Sequence, residues 1–397
     1  MTHAERRYSL PDTSRTLVHD RDPIAVTLPA PYGLPEIIAG RPTMADPNPS
    51  HTDALSRRSM LIAASAIVAT AATLSPTEAT AQTPTQMLAS WNDGPAKQAI
   101  VNFVRTITDP SSKDFVPPED RIATFDQDGT LWTEHPLYAQ AIFALYRVHE
   151  MAPQHQEWQS HEPFKAVLSN DPAALGKLTE RDWFVIIAAT HSGMTTDAFP
   201  ALVARWIEAA RDPRFKRPFT DLVYQPMREV MDYLRANGFT TYIVTGGGQD
   251  FVRVYAQRVY GVPPQQVAGS TIETAYAIKD GKPLLMRLPK AAFIDDGDGK
   301  AIGIQRVIGK RPSAAFGNSD GDREMLEWTG AGAGARLSML VHHDDARREY
   351  AYGPAGGQPD TKVGTFSASL MTEATTRGWT VISMKNDWRR VFAFDAV

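Results

Sequence analysis

Residues 121–130, Arg-Ile-Ala-Thr-Phe-Asp-Gln-Asp-Gly-Thr, constrain this chain more than any other stretch. A short apolar run that ends abruptly on polar and glycine residues is the pattern of a strand buried on both faces, and such strands belong to parallel sheets covered by helices. Two carboxylates, Asp126 and Asp128, leave the strand end together. Like charges that close are costly without a counter-ion. The chain must therefore bring a cation to this point.

The same grammar recurs twice. Phe239 to Val244 reads as a second buried strand that ends in Thr245-Gly246-Gly247-Gly248, and Ser313 to Phe316 as a third that ends in Gly317-Asn318-Ser319-Asp320-Gly321-Asp322. Helical patterns separate them: 222–236, stopped by Asn237-Gly238, then 249–260 and 300–308, with a short helix through Trp328 and a strand at 337–341. A further helix at 95–104 ends in the Pro/Ser-rich stretch 109–118, and a hairpin over 275–288 turns at Lys279-Asp280-Gly281. Strands alternating with helices predict a doubly wound, mostly parallel α/β sheet. Ligands bind such sheets at the carboxyl ends of the strands, so all three polar loops should converge at one edge. Between them, residues 137–211 show helical periodicity, as in 137–150 and 199–210, without a strand pattern. No repeat of 20 to 50 residues is present.

Composition narrows the chemistry. None of the 397 residues is Cys, which excludes disulfides, thiolate metal sites and a cysteine nucleophile. A formal net charge of −4 gives no electrostatic reason to expect nucleic acid as a partner. Carboxylates, His, Lys, Ser and Thr remain.

The N-terminal stretch predicts a destination. Residues 1–55 carry eight prolines and no lysine, and with no apolar period to offset the entropy of ordering they are expected to be disordered. In 56–81, Arg57-Arg58 precede an uncharged apolar run from Met60 to Leu74, and Ala79-Thr80-Ala81 follows. This is the order of a twin-arginine signal peptide, cut between Ala81 and Gln82, and with Met44 as the start its n-region would be short and conventional. A membrane anchor needs about 20 apolar residues. The expectation is a periplasmic or secreted protein that uses the twin-arginine export machinery and keeps no stable membrane association after cleavage.

At the carboxylate pair the natural counter-ion is a hard divalent cation. Mg²⁺ takes oxygen ligands, commonly one or two carboxylates with water and substrate phosphate, so Asp126 and the main-chain carbonyl of Asp128 are candidate ligands. One carboxylate can attack phosphorus while the other moves a proton. Gly129 allows the sharp turn, and Thr245 with the Gly246 and Gly247 amides can cradle phosphate oxygens.

In order, Asp126-Gln127-Asp128-Gly129-Thr130, Thr245-Gly246-Gly247, Lys300 and Gly317 to Asp322 resemble the four motifs of the haloacid dehalogenase superfamily, particularly its phosphoserine-phosphatase-like members. The resemblance implies a Rossmann-like core with an inserted helical cap, Mg²⁺ as cofactor and a small phosphorylated substrate. It assigns Asp126 as nucleophile, Asp128 as general acid/base, Thr245 as phosphate ligand and Lys300, rather than Lys290, as the charge-neutralising lysine. On this basis residues 82–134 begin the core, 135–220 form the cap, 221–345 complete the core and 346–397 form an extension packed on it. Two departures stand out. The fourth motif usually opens Gly-Asp, whereas Gly317 is followed by Asn318, so the metal ligand there is either Asn318 or a shifted Asp320, with Asp322 on the last acidic position. Where phosphoserine phosphatases carry a substrate-binding Glu stands His135, a candidate substrate contact, beside Glu134. A C–halogen hydrolase shares the nucleophile but needs neither metal nor second acid, and a silent periplasmic binding protein has no use for the Asp126/Asp128 pair.

Overall fold

The computed structural model describes residues 87–396. The disorder expected for 1–55 and the export signal expected for 56–81 lie outside the described residues. One sheet runs in the order β4-β3-β2-β1-β5-β6-β7, with β1 Ile122–Phe125, β2 Thr240–Gly248, β3 Val267–Lys279, β4 Lys282–Phe293, β5 Ala314–Gly317, β6 Leu337–His342 and β7 Thr380–Ser383. Every neighbouring pair is parallel except β3 with β4. This is the doubly wound, mostly parallel α/β class that the strand and helix alternation predicts. The main helices are α1 Pro95–Thr108, α2 Ala139–Met151, α3 Glu180–His191, α4 Ala198–Ala209, α5 Gln225–Ala236, α6 Gln249–Tyr260, α7 Asp298–Val307, α8 Arg323–Gly330 and α9 Ala368–Arg377.

Alternation along the strands builds two apolar layers. Ile243 and Phe316 face one cluster, with Phe103, Met231 and Tyr255, while their neighbours Val244 and Ala315 face another with Ile304, Leu340 and Leu370. Each large side chain buried this way contributes about 1.5–3 kcal/mol. Phe125 and Phe316 stack across adjacent strands with ring centroids 4.5 Å apart, which holds the ends of β1 and β5 level. A third cluster, with Leu145, Val148, Trp158, Phe164 and Ile186, packs α2 against α3 over the sheet edge.

The strands run further than their periodicity predicts. β2 continues through Thr245-Gly246-Gly247-Gly248 because it pairs with β3 across a register shift between Thr245 and Gly248, so the glycines lie in a bulge. Beyond its first residues β3 leaves the core and pairs only with β4, forming an arm. The arm turns at Asp280 (φ 51°) and Gly281 (φ 71°), both left-handed as a tight two-residue hairpin requires. Helix α5 starts at Gln225 rather than 222, with Pro226 in its first turn, where its missing N–H costs nothing.

The arm is stitched to the helical region. Gly193 N–H donates to the Arg287 carbonyl at 3.0 Å, Thr196 N–H to Leu285 at 3.0 Å, and Arg287 N–H to Met194 at 2.9 Å. The Arg287 side chain donates to the His191 carbonyl at 2.8 Å, pairs with Asp250 and lies 4.0 Å over the Phe199 ring. Residues 346–396 add the edge strand β7 and helix α9. No helix of the described residues is long and apolar enough to cross a membrane.

Candidate active site

The sheet delivers its polar loops to a single cavity of about 1190 Å³. Asp126 directly follows β1, and its N–H still donates to the Phe316 carbonyl at 2.9 Å, so the sheet fixes the position of its side chain. Its Oδ1 accepts from Lys300 Nζ at 2.5 Å, and the same ammonium donates to Asp322 Oδ1 at 2.6 Å. All three side chains are buried. Lys300 sits in the first turn of α7. Burial opposes its charge, but Asp126 and Asp322 hold its ammonium above the ordinary lysine range. Burial and the Asp322 charge push Asp126 up, against the pull of Lys300.

Asp128 opens on the same cavity. Burial pushes its carboxyl up to about 6, against the Trp132 indole N–H that donates to Oδ1 at 2.7 Å and against the charge of Lys300. The loop that follows the two acids tolerates only glycine at its turn. Gly129 has φ 77°, and a Cβ there would come within 2.2 Å of Asn318 Nδ2 and 2.3 Å of Glu134 Oε1.

At the end of β2 Thr245 is buried, and Gly246 and Gly247 line the cavity. Of the two amides expected as a phosphate cradle, that of Gly247 already has an internal partner, as does the next one, Gly248. Gly247 N–H donates to Thr245 Oγ1 at 3.0 Å, and Gly248 N–H to Gln140 Oε1 at 2.7 Å.

The fourth motif follows β5. Asn318 is buried, with Nδ2 donating to Glu134 Oε1 at 2.7 Å and Oδ1 accepting from Thr130 Oγ1 at 3.1 Å. Asp322 is fully buried, and its Oδ2 accepts from the Asn318 and Ser319 amides at 2.9 and 3.0 Å. Asp320 turns elsewhere, to Ser367 Oγ at 2.8 Å and to Arg323. Of the two alternatives at this loop, Asn318 therefore faces the nucleophile and Asp320 does not. Lys290 likewise lies apart from Asp126, exposed and paired with Glu273 at 2.6 Å.

His135 lines the cavity, and burial holds its ring at about 4, so it is neutral at ordinary pH. Its Nε2 faces the Val363 carbonyl at 3.1 Å, and its ring lies 3.7 Å from that of Tyr352.

Several contributors escaped the sequence analysis. Trp132, two residues past the Asp-Gln-Asp-Gly-Thr turn, reads as apolar packing yet hydrogen-bonds the second acid. Glu134 is a buried carboxylate that burial, and then the Asp128 and Asp126 charges, push well above the glutamate range. Its position eight residues after Asp126, beside His135, is the one available signal. Tyr350, Tyr352 and Thr361 to Val363 reach the wall from beyond 345 with no local signature at all. Beneath the loop, His343 Nε2 bonds the Gly129 carbonyl at 2.7 Å while its Nδ1 faces Glu349 at 3.2 Å.

Chemically, the floor combines a carboxylate held by a lysine, a second carboxyl poised to exchange a proton, and hard oxygen donors. The donors fit a small divalent cation: Thr130 Oγ1 reaches both Asn318 Oδ1 at 3.1 Å and Asp126 Oδ2 at 3.5 Å, so those two oxygens border one small space.

Solved structures similar to this one include a conserved protein of unknown function from Anaerococcus prevotii, at 16% identity over 63% of this chain and 86% of that one, TM-score 0.44. A protein of unknown function from Bordetella pertussis matches at 17% identity over 66% and 97%, TM-score 0.39. A phospho-aspartyl intermediate analogue of phosphoserine phosphatase matches at 16% over 56% and 86%, TM-score 0.29. No curated protein sequence matches. The family model described as haloacid dehalogenase-like hydrolase matches residues 123–327, just over half of the chain and the span holding all four motifs, and the chain belongs to that family.

Proposed function

We propose that this hydrolase is a Mg²⁺-dependent phosphatase that cleaves a small phosphomonoester through an aspartyl phosphate. The observation that carries this reading is the Asp126–Lys300–Asp322 ion triad with Asp128 beside it in one cavity. An Asp126 oxygen attacks phosphorus, the bond from phosphorus to the leaving oxygen breaks, and Asp128 gives that oxygen its proton. Asp128 then takes a proton from the water that attacks the acyl phosphate, which releases phosphate and restores Asp126. A bound Mg²⁺, held by Asp126, Asn318 and the Asp128 carbonyl, would neutralise the phosphoryl oxygens. The Lys300 ammonium keeps Asp126 oriented and offsets part of the buried charge.

The roof supports a leaving group with an apolar body. Leu145, Leu178, Trp183, Phe184 and Ile187 line it from the helical region, and Ile272 from the arm, while the neutral His135 stands where an acid would favour an amino group. We further propose export through the twin-arginine signal of residues 56–81.

Phosphate release with Mg²⁺ and with EDTA, beside halide release from a short haloacid, tests the reaction. Metal-dependent phosphate release from aryl or alkyl phosphates, faster than from phosphoserine, is expected. Halide release, or neither product, would replace this reading with dehalogenation or binding. Active full-length protein stranded in the cytoplasm by Arg57→Lys with Arg58→Lys would support the export route.

A further inference from the structure

The fourth motif offers a neutral amide at Asn318 where the family pattern has a carboxylate, so a cation bound there would meet one charge fewer. Glu134 lies directly behind that amide. Its residue is 2% exposed, and its Oε1 accepts both from Asn318 Nδ2 at 2.7 Å and from the Tyr352 hydroxyl at 2.8 Å. Its Oε2 has no partner among the described residues, and Glu134 is part of the wall of the cavity that holds Asp126 and Asp128.

A buried acid with a purely structural task looks different in this same molecule. Glu349 is fully buried, and both its oxygens are engaged, by Thr133 at 2.6 Å and His343 at 3.2 Å. Burying a carboxylate is tolerated where it is hydrogen-bonded or faces a cation. In Glu134 one oxygen is hydrogen-bonded twice, while the other has no partner among the described residues.

We propose that Glu134 is a second carboxylate of the cation site beside Asp126, supplying from the segment after the first motif the charge that Asn318 does not carry. It also acts as a positioning residue. With Nδ2 committed to Glu134, the Asn318 amide must aim Oδ1 the other way, toward Thr130 and Asp126. Charge and ligand are divided between two residues from distant parts of the chain. This inference rests on the metal-dependent reading above.

The test is Mg²⁺ binding to metal-free protein, followed by titration calorimetry and by the shift in melting temperature, with circular dichroism to check the fold. Glu134→Gln should weaken Mg²⁺ binding about 10- to 100-fold, the range found when the partner of a metal ligand is lost. Glu134→Gln combined with Asn318→Asp moves the charge across the same hydrogen bond, with the new amide at 134 as donor, and should return affinity to near the wild-type value. Asn318→Asp alone sets two carboxylates in contact and should show the largest Mg²⁺-dependent rise in melting temperature. Wild-type affinity in Glu134→Gln, or a double variant that binds no better than Glu134→Gln, overturns the proposal. Should Glu134→Gln fail to fold, the double variant decides alone, and weak binding in it overturns the proposal. A wild-type protein that binds no Mg²⁺ overturns the metal-dependent reading as well, so the two failures are distinct.

Discussion

The floor and the roof of the cavity are built on different principles. Asp126, Thr245 and Asn318 each stand at the carboxyl end of a strand, and the ladders that pair β1 with β2 and β5 set their spacing. The roof is held by contacts between segments far apart in sequence, such as Arg287 with Asp250 and with the His191 carbonyl. Reactive groups fixed by backbone pairing keep their geometry when the roof changes. A roof held by side chains can be altered to admit another substrate while the chemistry beneath it stays intact.

The sharpest break of that comparison lies in the floor. Asp126→Asn should reduce steady turnover on the order of 10⁴-fold or more, because the amide cannot serve as the nucleophile, and Asp128→Asn by about 10²- to 10⁴-fold through lost proton transfer. Phosphate release by each variant, with deamidation excluded by mass spectrometry, checks the order. Steady turnover by Asp126→Asn would remove the covalent step.

Next comes the roof. Arg287→Ala deletes a nearly buried cation from the carboxylate of Asp250, which is about one-third exposed, and should cost about 2 kcal/mol in urea denaturation. It should raise KM more than it lowers kcat. A fall in kcat at constant KM would mean that the floor feels the roof directly.

The junction between arm and core gives a smaller, pH-dependent effect. Asp295 is fully buried, neither carboxylate oxygen has a partner among the described residues, and burial pushes its carboxyl up to about 7. The folded protein therefore binds a proton that the unfolded chain releases near 4, and stability falls as pH rises from about 4 through 7. Asp295→Asn removes that loss, so its stability relative to wild type should improve by about 2 kcal/mol between pH 5 and pH 8. A difference that does not change with pH would show that the carboxyl is ionised in the folded state. Smallest of all, Asp320→Ala should alter Mg²⁺ affinity less than about twofold, since its carboxylate is turned to Ser367 and Arg323. A large loss would return Asp320 to the ligand set.

The floor was legible because each part of it is local. An apolar strand followed at once by Asp126 or by Gly317-Asn318 carries its own placement, and the strand alternation supplies the rest. Lys300 could be chosen over Lys290 because it opens a helix close to the fourth motif. The roof left fainter marks. The arm from Val267 to Phe293 showed only its outer hairpin, 275–288, and not its full length, because many of its residues are only half-buried. The Thr245 loop predicted open amides at Gly246 and Gly247, but Thr245 itself satisfies that of Gly247. Tyr352 and Val363 could not be connected with Glu134 and His135 by any periodicity, because those contacts form only once the sheet is complete.

That last contact has a consequence for biosynthesis. Glu134 and Tyr352 are 218 residues apart along the chain. At about 5–20 residues per second, a ribosome takes about 10 to 40 seconds to supply the hydroxyl after it has supplied the acid. Throughout that interval the nascent chain has its nucleophile but only part of the cavity wall.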